Sequence, residues 1–455
     1  MKIKKASIRQ SMIIASLIFG MLFGAGNLIF PVHLGQLAGS NWLIASSGFL
    51  FSGVLLPLMA LLAISITRSN GIYDLALPNG RYYALIFLIL VHATLGPLFA
   101  TPRTATVPYE IGIAPYLSKS ANTWGLLIYS AIFFSLVYIF SNHEGKITTL
   151  IGKVLNPLFL LLLFLIFLLA FMHPLGSGNT AAITASYARH AFSNGFLQGY
   201  NTMDGLAALA FGITIITAIK ELGIKKTRQV SIETAKSGFL GIAGVAVIYL
   251  ALIWLGATSL HQFKLAANGG ITLAQISHHY LGTAGDTILA TLATITCMTS
   301  AMGLVIAFSQ DFHRRFPKIS YRTFLRINCG LSFLFANLGL DQIIAWSTPI
   351  LMFLYPLAIT LIILGLLSPI FKHDRLVYQI TTALTLIPAF FDMLNALPAN
   401  LHDSQLLQTL LGFAQQYFPF FSLGFGWLTF GIAGLILGLI CHVLKVRKRL
   451  GLLSE

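Results

Sequence analysis

The stretch Gly20-Met21-Leu22-Phe23-Gly24-Ala25-Gly26-Asn27 interrupts the first long apolar segment of the chain, which closes at Pro31. Glycine lowers the stability of a helix and adopts backbone angles that other residues avoid. Because an unpaired peptide group is costly in hydrocarbon, a broken helix persists in a membrane only beside protein, water or a ligand. The stretch therefore predicts two half-helices that meet at a site for an ion or a small solute.

The composition predicts an integral membrane protein. Of the 455 residues, 56% are hydrophobic and only 9% are charged, whereas soluble proteins carry about 25% charged residues. The net charge of +15 is spread over short segments between apolar spans, which excludes a nucleic-acid-binding surface. The cysteines Cys297, Cys329 and Cys441 form no CxxC pair, so we expect neither a zinc site nor a disulfide framework.

About twelve apolar segments are long enough to cross a bilayer. Their approximate bounds are 11–33, 42–66, 83–113, 122–141, 151–173, 196–219, 237–259, 284–310, 323–340, 345–370, 377–396 and 419–444. With the N-terminus inside, 24 of the 28 Lys and Arg residues lie on the cytoplasmic side, against Lys119, Arg189 and Lys264 outside and Arg103 within a span. The excess of basic residues predicts that both termini are cytoplasmic. The outer segment 397–418 contains spaced leucines that indicate a surface helix.

Span 6 carries a second group of helix-breaking and small residues, at 202–205 and again at 207–212. Spans 1 and 6 lie five spans apart and enter the membrane from opposite sides, which is typical of an inverted-repeat transporter. Close packing of helices is the alternative explanation for the small residues. We predict an all-α integral membrane protein with one transmembrane domain over residues 1–455. Its parts are a first repeat at 1–173, an inverted repeat at 196–370 and two further helices at 377–444.

Several stretches resemble the branched-chain amino acid:cation symporter family, the BrnQ-type carriers of bacteria. They are Phe23 to Pro31, Gly96 to Thr106, Glu110 to Pro115, Ala191 to Phe196 and Gly199 to Asp204, with weaker similarity at 320–323 and 332–339. The resemblance implies the leucine-transporter (LeuT) fold, a five-plus-five core with two extra helices. It also implies sodium-driven uptake of leucine, isoleucine and valine across the bacterial cytoplasmic (inner) membrane. We expect no partner beyond these substrates and membrane lipid, that is, no nucleic acid and no obligate protein partner.

An amino-acid zwitterion needs compensation of both charges inside a bilayer. The N-terminus of the outer half of span 1 offers free N–H groups and a positive dipole end to the carboxylate. The ammonium group would take carbonyl groups from span 1 and from a break of span 6 near Ala207 to Ala210, and apolar groups would hold the side chain. The predicted substrate-binding residues are Gly24, Ala25, Gly26, Asn27, Phe99, Ala207, Ala208, Ala210 and Phe211.

Sodium is the expected coupling ion, and we expect no other cofactor. By analogy with the fold, carbonyl groups of Gly20 and Phe23 meet hydroxyl groups of Thr299 and Ser300, and Asn27 serves a possible second cation. The alternative is that both hydroxyls bond only to their own helix. No G-x-x-x-x-G-K-[ST] loop is present, so ATP hydrolysis is not expected. Since no catalytic constellation shares a predicted face, we do not expect an enzyme.

Three ionisable residues fall at membrane depth, where such groups are usually paired and functional. We predict that Arg103 pairs with Asp204, with Glu110 as the alternative partner. The pair would either neutralise buried charge or form an outer gate over the substrate. A proton-coupled carrier, in which Asp204 or Glu110 titrates, is the alternative to sodium symport. A channel or receptor without coupled turnover is a further alternative.

Overall fold

The computed structural model describes residues 7–142, 146–224, 226–398 and 401–449, and all regular structure in these ranges is helical. The longer helices are α1 (Ile8–Leu22), α2 (Gly26–Ala38), α3 (Trp42–Leu50), α4 (Leu56–Thr67), α5 (Ile72–Ala76), α6 (Arg81–Ala93), α7 (Ala100–Gly112), α8 (Lys119–Asn142), α9 (Lys146–Met172), α10 (Ala185–Gly199), α11 (Asp204–Glu221), α12 (Thr227–Ser259), α13 (Gly269–Arg315), α14 (Tyr321–Ala336), α15 (Leu340–Leu367), α16 (Arg375–Asn395), α17 (Gln405–Tyr417) and α18 (Gly426–Arg449). The all-α class is confirmed. The basic residues Lys2, Lys4, Lys5 and Lys225, which support the predicted orientation, lie outside the described ranges.

Each predicted span overlaps one helix or one pair of consecutive helices. Among the described residues, eight helical segments are long and apolar enough to cross a membrane, and shorter apolar helices occupy Ile8–Leu22 and Leu160–Met172. The count of twelve spans and the cytoplasmic termini stay predictions. The helix expected in the last outer segment is present as α17, with Leu406 exposed and Leu407 buried.

The first interruption lies where the sequence predicts it. Helix α1 ends at Leu22 and α2 begins at Gly26. The side-chain oxygen of Asn27 accepts a hydrogen bond from the N–H group of Gly24 at 3.0 Å. The N–H groups of Ala25 and Gly26 donate to no other described residue. A helix N-terminus with unused donors thus faces the interruption.

The second interruption lies earlier than predicted. Helix α10 ends at Gly199, and α11 begins at Asp204 after Met203 takes the left-handed conformation with φ 62°. The predicted break near Ala207 to Ala210 is wrong, because α11 runs through it without interruption. The glycines of α11 serve packing instead: a Cβ atom on Gly205 would lie 3.1 Å from the ring of Tyr355.

Pairs of glycines allow two similar close contacts between helices that are far apart in the chain. Helix α2 packs against α12, and α10 packs against α3. A Cβ atom on Gly35 of α2 or on Gly256 of α12 would lie 2.0 Å from a carbonyl oxygen of the facing helix. The same atom on Gly48 of α3 or Gly195 of α10 would lie 2.0 or 2.1 Å from a carbonyl oxygen. Only glycine permits this close approach of the paired helices.

Span 3 bends at a point that we did not predict. After α6 ends at Ala93, Gly96 leaves helical geometry with ψ −116°, and the helix resumes at Ala100. Pro97 has no N–H group to continue the helical hydrogen bonds. A Cβ atom on Gly96 would lie 2.9 Å from the amide nitrogen of Asn328. The adjacent Gly96-Pro97 pair was the available signal for this bend.

Candidate functional site

A cavity of about 700 Å³ lies between the two interruptions. This volume is within the range of small-molecule sites, about 300–1,000 Å³. The predicted site residues that line it are Gly20, Gly24, Ala25, Gly26, Asn27, Arg103, Asp204, Ala207, Phe211, Thr299 and Ser300. The two interrupted helices therefore enclose a space of the size that a small solute needs.

The cavity extends toward the end of the bundle where α1 begins. Ser16 of α1, Thr214 of α11 and Gln310 of α13 line it at that end, and all three are exposed. At the opposite end Arg103 is only 2% exposed, and Phe30 is also buried. The cavity is thus accessible from the side of the described N-terminus and closed on the other side.

Asp204 forms the polar centre of the cavity. Its Oδ2 accepts hydrogen bonds from Asn27 Nδ2 at 2.9 Å and from the hydroxyl of Tyr249 at 2.6 Å. Asn27 Nδ2 also donates to the Tyr249 hydroxyl. Asp204 is the first residue of α11, where the helix dipole favours a negative charge. These bonds join α2, α11 and α12.

The structure adds contacts that the sequence does not indicate. The amide of Asn27 connects Gly24, Asp204 and Tyr249, and its role toward a second cation stays a prediction. Tyr249, a partner of Asp204, was missed by sequence reasoning. It is a lone tyrosine in the apolar helix α12, and its spacing carries no signal of a polar role.

The predicted ion pair between Arg103 and Asp204 is wrong. Arg103 donates to the carbonyl oxygen of Asn201 at 2.8 Å and to the hydroxyl of Ser347, and its guanidinium carbon lies 4.9 Å from the centroid of the Phe30 ring. Of the described residues, none forms a salt bridge with Arg103.

Helix ends explain why no direct pair is needed. Asn201 lies in the helical turn that follows α10, just before the interruption of span 6. The exposed carbonyl groups at this helix end carry partial negative charge, which favours the guanidinium of Arg103. Asp204 occupies the positive end of the next helix. Each charge is therefore compensated by a different helix end, and Arg103 connects spans 1, 3, 6 and 10 on the closed side of the cavity.

Glu110 does not pair with Arg103 either. Glu110 lies near the end of α7 and packs beside the start of α13, where a Cβ atom on Gly270 would be 3.5 Å from Glu110 Cγ. The distance of seven residues that separates Arg103 from Glu110 corresponds to about 10 Å along a helix, which exceeds the reach of a direct pair. Glu110 does not line the cavity.

Four predicted ligand residues are not part of the cavity wall that the described residues form. Phe23 stacks on Phe19, with ring centroids 5.2 Å apart. Phe99 and Ala208 belong to the apolar core, and Ala210 packs against it. The wall contains apolar side chains that the sequence did not indicate, namely Met21, Leu95 and Leu304, together with Ala100, Thr104, Thr202 and Met203. Apolar lining residues cannot be told from core residues by pattern, since both are apolar on a helix face.

Thr299 and Ser300 lie on α13 beside the first interruption. A Cβ atom on Gly24 would lie 3.9 Å from the hydroxyl oxygen of Ser300. Each hydroxyl donates to a carbonyl one turn earlier, at 3.1 Å for Thr299 and 3.2 Å for Ser300. This bond uses the hydroxyl hydrogen and leaves oxygen lone pairs that can accept a cation.

The fold is similar to that of a solved transporter. The structure of Mhp1, a nucleobase-cation-symport-1 family transporter, in a closed conformation with bromovinylhydantoin bound aligns with a TM-score of 0.55 at 12% sequence identity. The alignment covers 98% of this chain and 94% of Mhp1. At this identity the likeness concerns the fold alone.

Several bacterial permeases are much more similar to this chain in sequence than Mhp1 is. A branched-chain amino acid permease BrnQ of Lactobacillus delbrueckii subsp. lactis is 43% identical over 93% of this chain and 95% of its own length. BrnQ of Bacillus subtilis (strain 168) is 37% identical over 98% and 99%, and BrnQ of Escherichia coli (strain K12) is 35% identical over 93% of both chains. Residues 7–445 match the family described as branched-chain amino acid transport protein. The predicted family is confirmed: this multi-pass membrane protein belongs to the branched-chain amino acid transport protein family, a family of transporters and not of enzymes.

Proposed function

We propose that this chain imports leucine, isoleucine and valine by sodium symport across the bacterial cytoplasmic membrane. The observation that carries the proposal is the cavity at the meeting point of two interrupted helices, in a chain whose relatives are named branched-chain amino acid permeases. The packing of α2 against α12 and the packing of α3 against α10 are similar, and this similarity supports an inverted-repeat core.

The substrate carboxylate binds at the start of α2. The N–H groups of Ala25 and Gly26 have no acceptor among the described residues, and the helix dipole at this end favours an anion. The side chain of the substrate lies against Ala207 and Phe211 and the apolar wall on the other side of the cavity. Such a wall separates leucine from valine by only about 1–3 kcal/mol per methylene group, which agrees with overlapping selectivity for the three substrates.

Sodium binds between the C-terminal turn of α1 and α13. The carbonyl group of Gly20 and the hydroxyl oxygens of Thr299 and Ser300 are the proposed ligands, since all three residues line the cavity and sodium is a hard cation that prefers oxygen. The membrane potential adds about 2.3 kcal/mol per 100 mV for one charge that moves inward. One sodium ion can therefore concentrate a zwitterionic substrate without ATP.

The closed side of the cavity faces outward in this proposal, and the open side faces the cytoplasm. Arg103 holds the closed side, so the conformation is inward-facing. A proton-coupled carrier is the second candidate, because Asp204 places a carboxylate in the cavity wall.

The deciding experiment is leucine uptake into proteoliposomes at fixed pH, with and without a sodium gradient. We expect uptake to require sodium and to be inhibited by isoleucine and valine but not by lysine or glutamate. Stimulation by a pH gradient in the absence of sodium would favour the proton-coupled candidate. Counterflow of labelled leucine, which needs an alternating carrier, would be absent from a channel.

A further inference from the structure

A buried carboxylate without a cationic partner lies at the centre of the cavity. Asp204 is 2% exposed and accepts hydrogen bonds from two neutral side chains, Asn27 and Tyr249. Among the described residues, no Lys, Arg or His forms a salt bridge with it. A carboxylate that is buried without an opposite charge is costly, and in a membrane such a group usually has a functional partner.

The protein's own nearby cation is already engaged. Arg103 also lines the cavity, but its guanidinium donates to Asn201 and Ser347 on the closed side. When Asp204 is ionised, the positive charge that complements it therefore comes from a ligand that enters the cavity.

The position of Asp204 relative to α2 selects the ligand group. Asn27 Nδ2, in the first turn of α2, lies 2.9 Å from Asp204 Oδ2. The unused N–H groups of Ala25 and Gly26 are in the residues immediately before it. An α-amino acid carries its carboxylate and its ammonium group on one carbon atom, so a single substrate reaches both the helix N-terminus and Asp204.

We propose that Asp204 binds the α-ammonium group of the substrate. Asn27 and Tyr249 position the Asp204 carboxylate for this contact. This inference rests on the proposed function, and it replaces the carbonyl groups near Ala207 as the main partner of the ammonium. Charge–charge recognition here means that loss of the amino group weakens binding, whereas the apolar wall selects the aliphatic side chain only weakly. Thr299 and Ser300 on α13 remain the separate sodium ligands.

The test compares leucine with two analogues that each lack one charged group. They are 4-methylpentanoate, which lacks the amino group, and 3-methylbutylamine, which lacks the carboxylate. Competition against labelled leucine on the purified wild-type protein needs no variant. Since a hydrogen bond to a charged group contributes more than a neutral one, we expect 4-methylpentanoate to bind roughly 10- to 100-fold more weakly than leucine. Equal binding of 4-methylpentanoate and leucine would overturn the proposal.

Asp204→Asn then tests the residue itself. We expect leucine affinity to fall roughly 10- to 100-fold, the preference for leucine over 4-methylpentanoate to disappear, and the half-saturating sodium concentration to stay unchanged. Asp286→Asn is the matched control, because Asp286 accepts from Tyr116 at 2.8 Å and from His278 at 2.6 Å and does not line the cavity. The control should bind leucine as the wild type does.

Two results separate this proposal from its alternatives. If Asp204→Asn keeps its leucine affinity but loses its response to sodium, Asp204 is an ion ligand and the ammonium assignment is wrong. If the wild type does not bind leucine in any ion gradient, the proposed function itself fails. Should Asp204→Asn not fold, as melting temperature and gel filtration report, equal binding of 4-methylpentanoate and leucine to the wild type still overturns the proposal.

Discussion

Substitution of Arg103 by glutamine should open the closed side of the cavity. The guanidinium joins the carbonyl of Asn201 at 2.8 Å, the hydroxyl of Ser347 and the ring of Phe30 at 4.9 Å. All of these groups are buried, so water cannot replace the lost bonds in the closed conformation. In an open conformation the same groups would become hydrated.

The size of the effect follows from these contacts. Hydrogen bonds to a charged group contribute about 1.5–3 kcal/mol each, and the cation–π contact contributes about 0.5–2 kcal/mol. Glutamine keeps one neutral donor, and removal of the buried charge recovers part of its desolvation cost. We therefore expect a net loss of about 2–4 kcal/mol from the closed state, which corresponds to a shift of roughly 30- to 1,000-fold between closed and open forms.

A cysteine at Thr104, which lines the cavity and is 2% exposed, reports the change. Cys441, which is partly exposed, is first replaced by serine. In right-side-out vesicles, a membrane-impermeant thiol reagent should label Thr104→Cys slowly in the wild-type background and at least tenfold faster with Arg103→Gln. Leucine uptake should fall, because the carrier no longer closes outside.

Arg189→Gln is the control, since Arg189 is an exposed basic residue in a predicted outer segment, and it should alter neither rate. If Arg103→Gln folds and its outside labelling equals that of the control, Arg103 does not hold the closed side.

Three further predictions address packing and ion binding. Gly35→Ala should lower the melting temperature, because its methyl carbon would lie 2.0 Å from a carbonyl oxygen of α12 and overpacking costs about 1–3 kcal/mol. The control is Gly412→Ala, which lies inside α17 with no neighbouring atom near the added methyl group and should stabilise the protein slightly. Equal losses of stability in both variants would contradict the packing argument. Asp392→Ala should destabilise the protein by about 1–3 kcal/mol, since this buried carboxylate accepts hydrogen bonds from two N–H groups at the start of α18 at 3.3 Å. The affinity for leucine, measured by equilibrium binding, should not change. Ser300→Ala should raise the half-saturating sodium concentration several-fold in uptake assays, whereas unchanged sodium dependence would exclude this hydroxyl as a ligand.

The first interruption could be predicted because its cause is local. Gly24 and Gly26 lower helix stability within one apolar segment, and no distant residue is needed to see this. The second interruption could not be located in the same way. The glycines of α11 are packing contacts, and the chain instead leaves the helix at Met203, within the polar stretch from Asn201 to Asp204. Residues that favour turns and caps were the better signal there.

Charge pairing was the least predictable part of the site. Sequence reasoning pairs Arg103 with Asp204, because both are ionisable and fall at a similar depth. The partners that the structure gives to Arg103 are Asn201 and Ser347, and Asp204 takes Asn27 and Tyr249. These neutral groups come from four different predicted spans and show no distinguishing pattern along the chain.

The sequence by itself determined that this is an all-helical membrane transporter, which family it belongs to and where span 1 is broken. Hydrophobic segment length, basic residues and local glycines act over a few neighbouring positions, so they can be read without a fold. Only the tertiary structure decided that the interruption of span 6 lies at Met203, that helix ends rather than an ion pair compensate Arg103 and Asp204, and which apolar residues form the cavity wall. Those features depend on contacts between helices far apart in the chain, and the energies of such contacts are set by packing geometry and not by residue type.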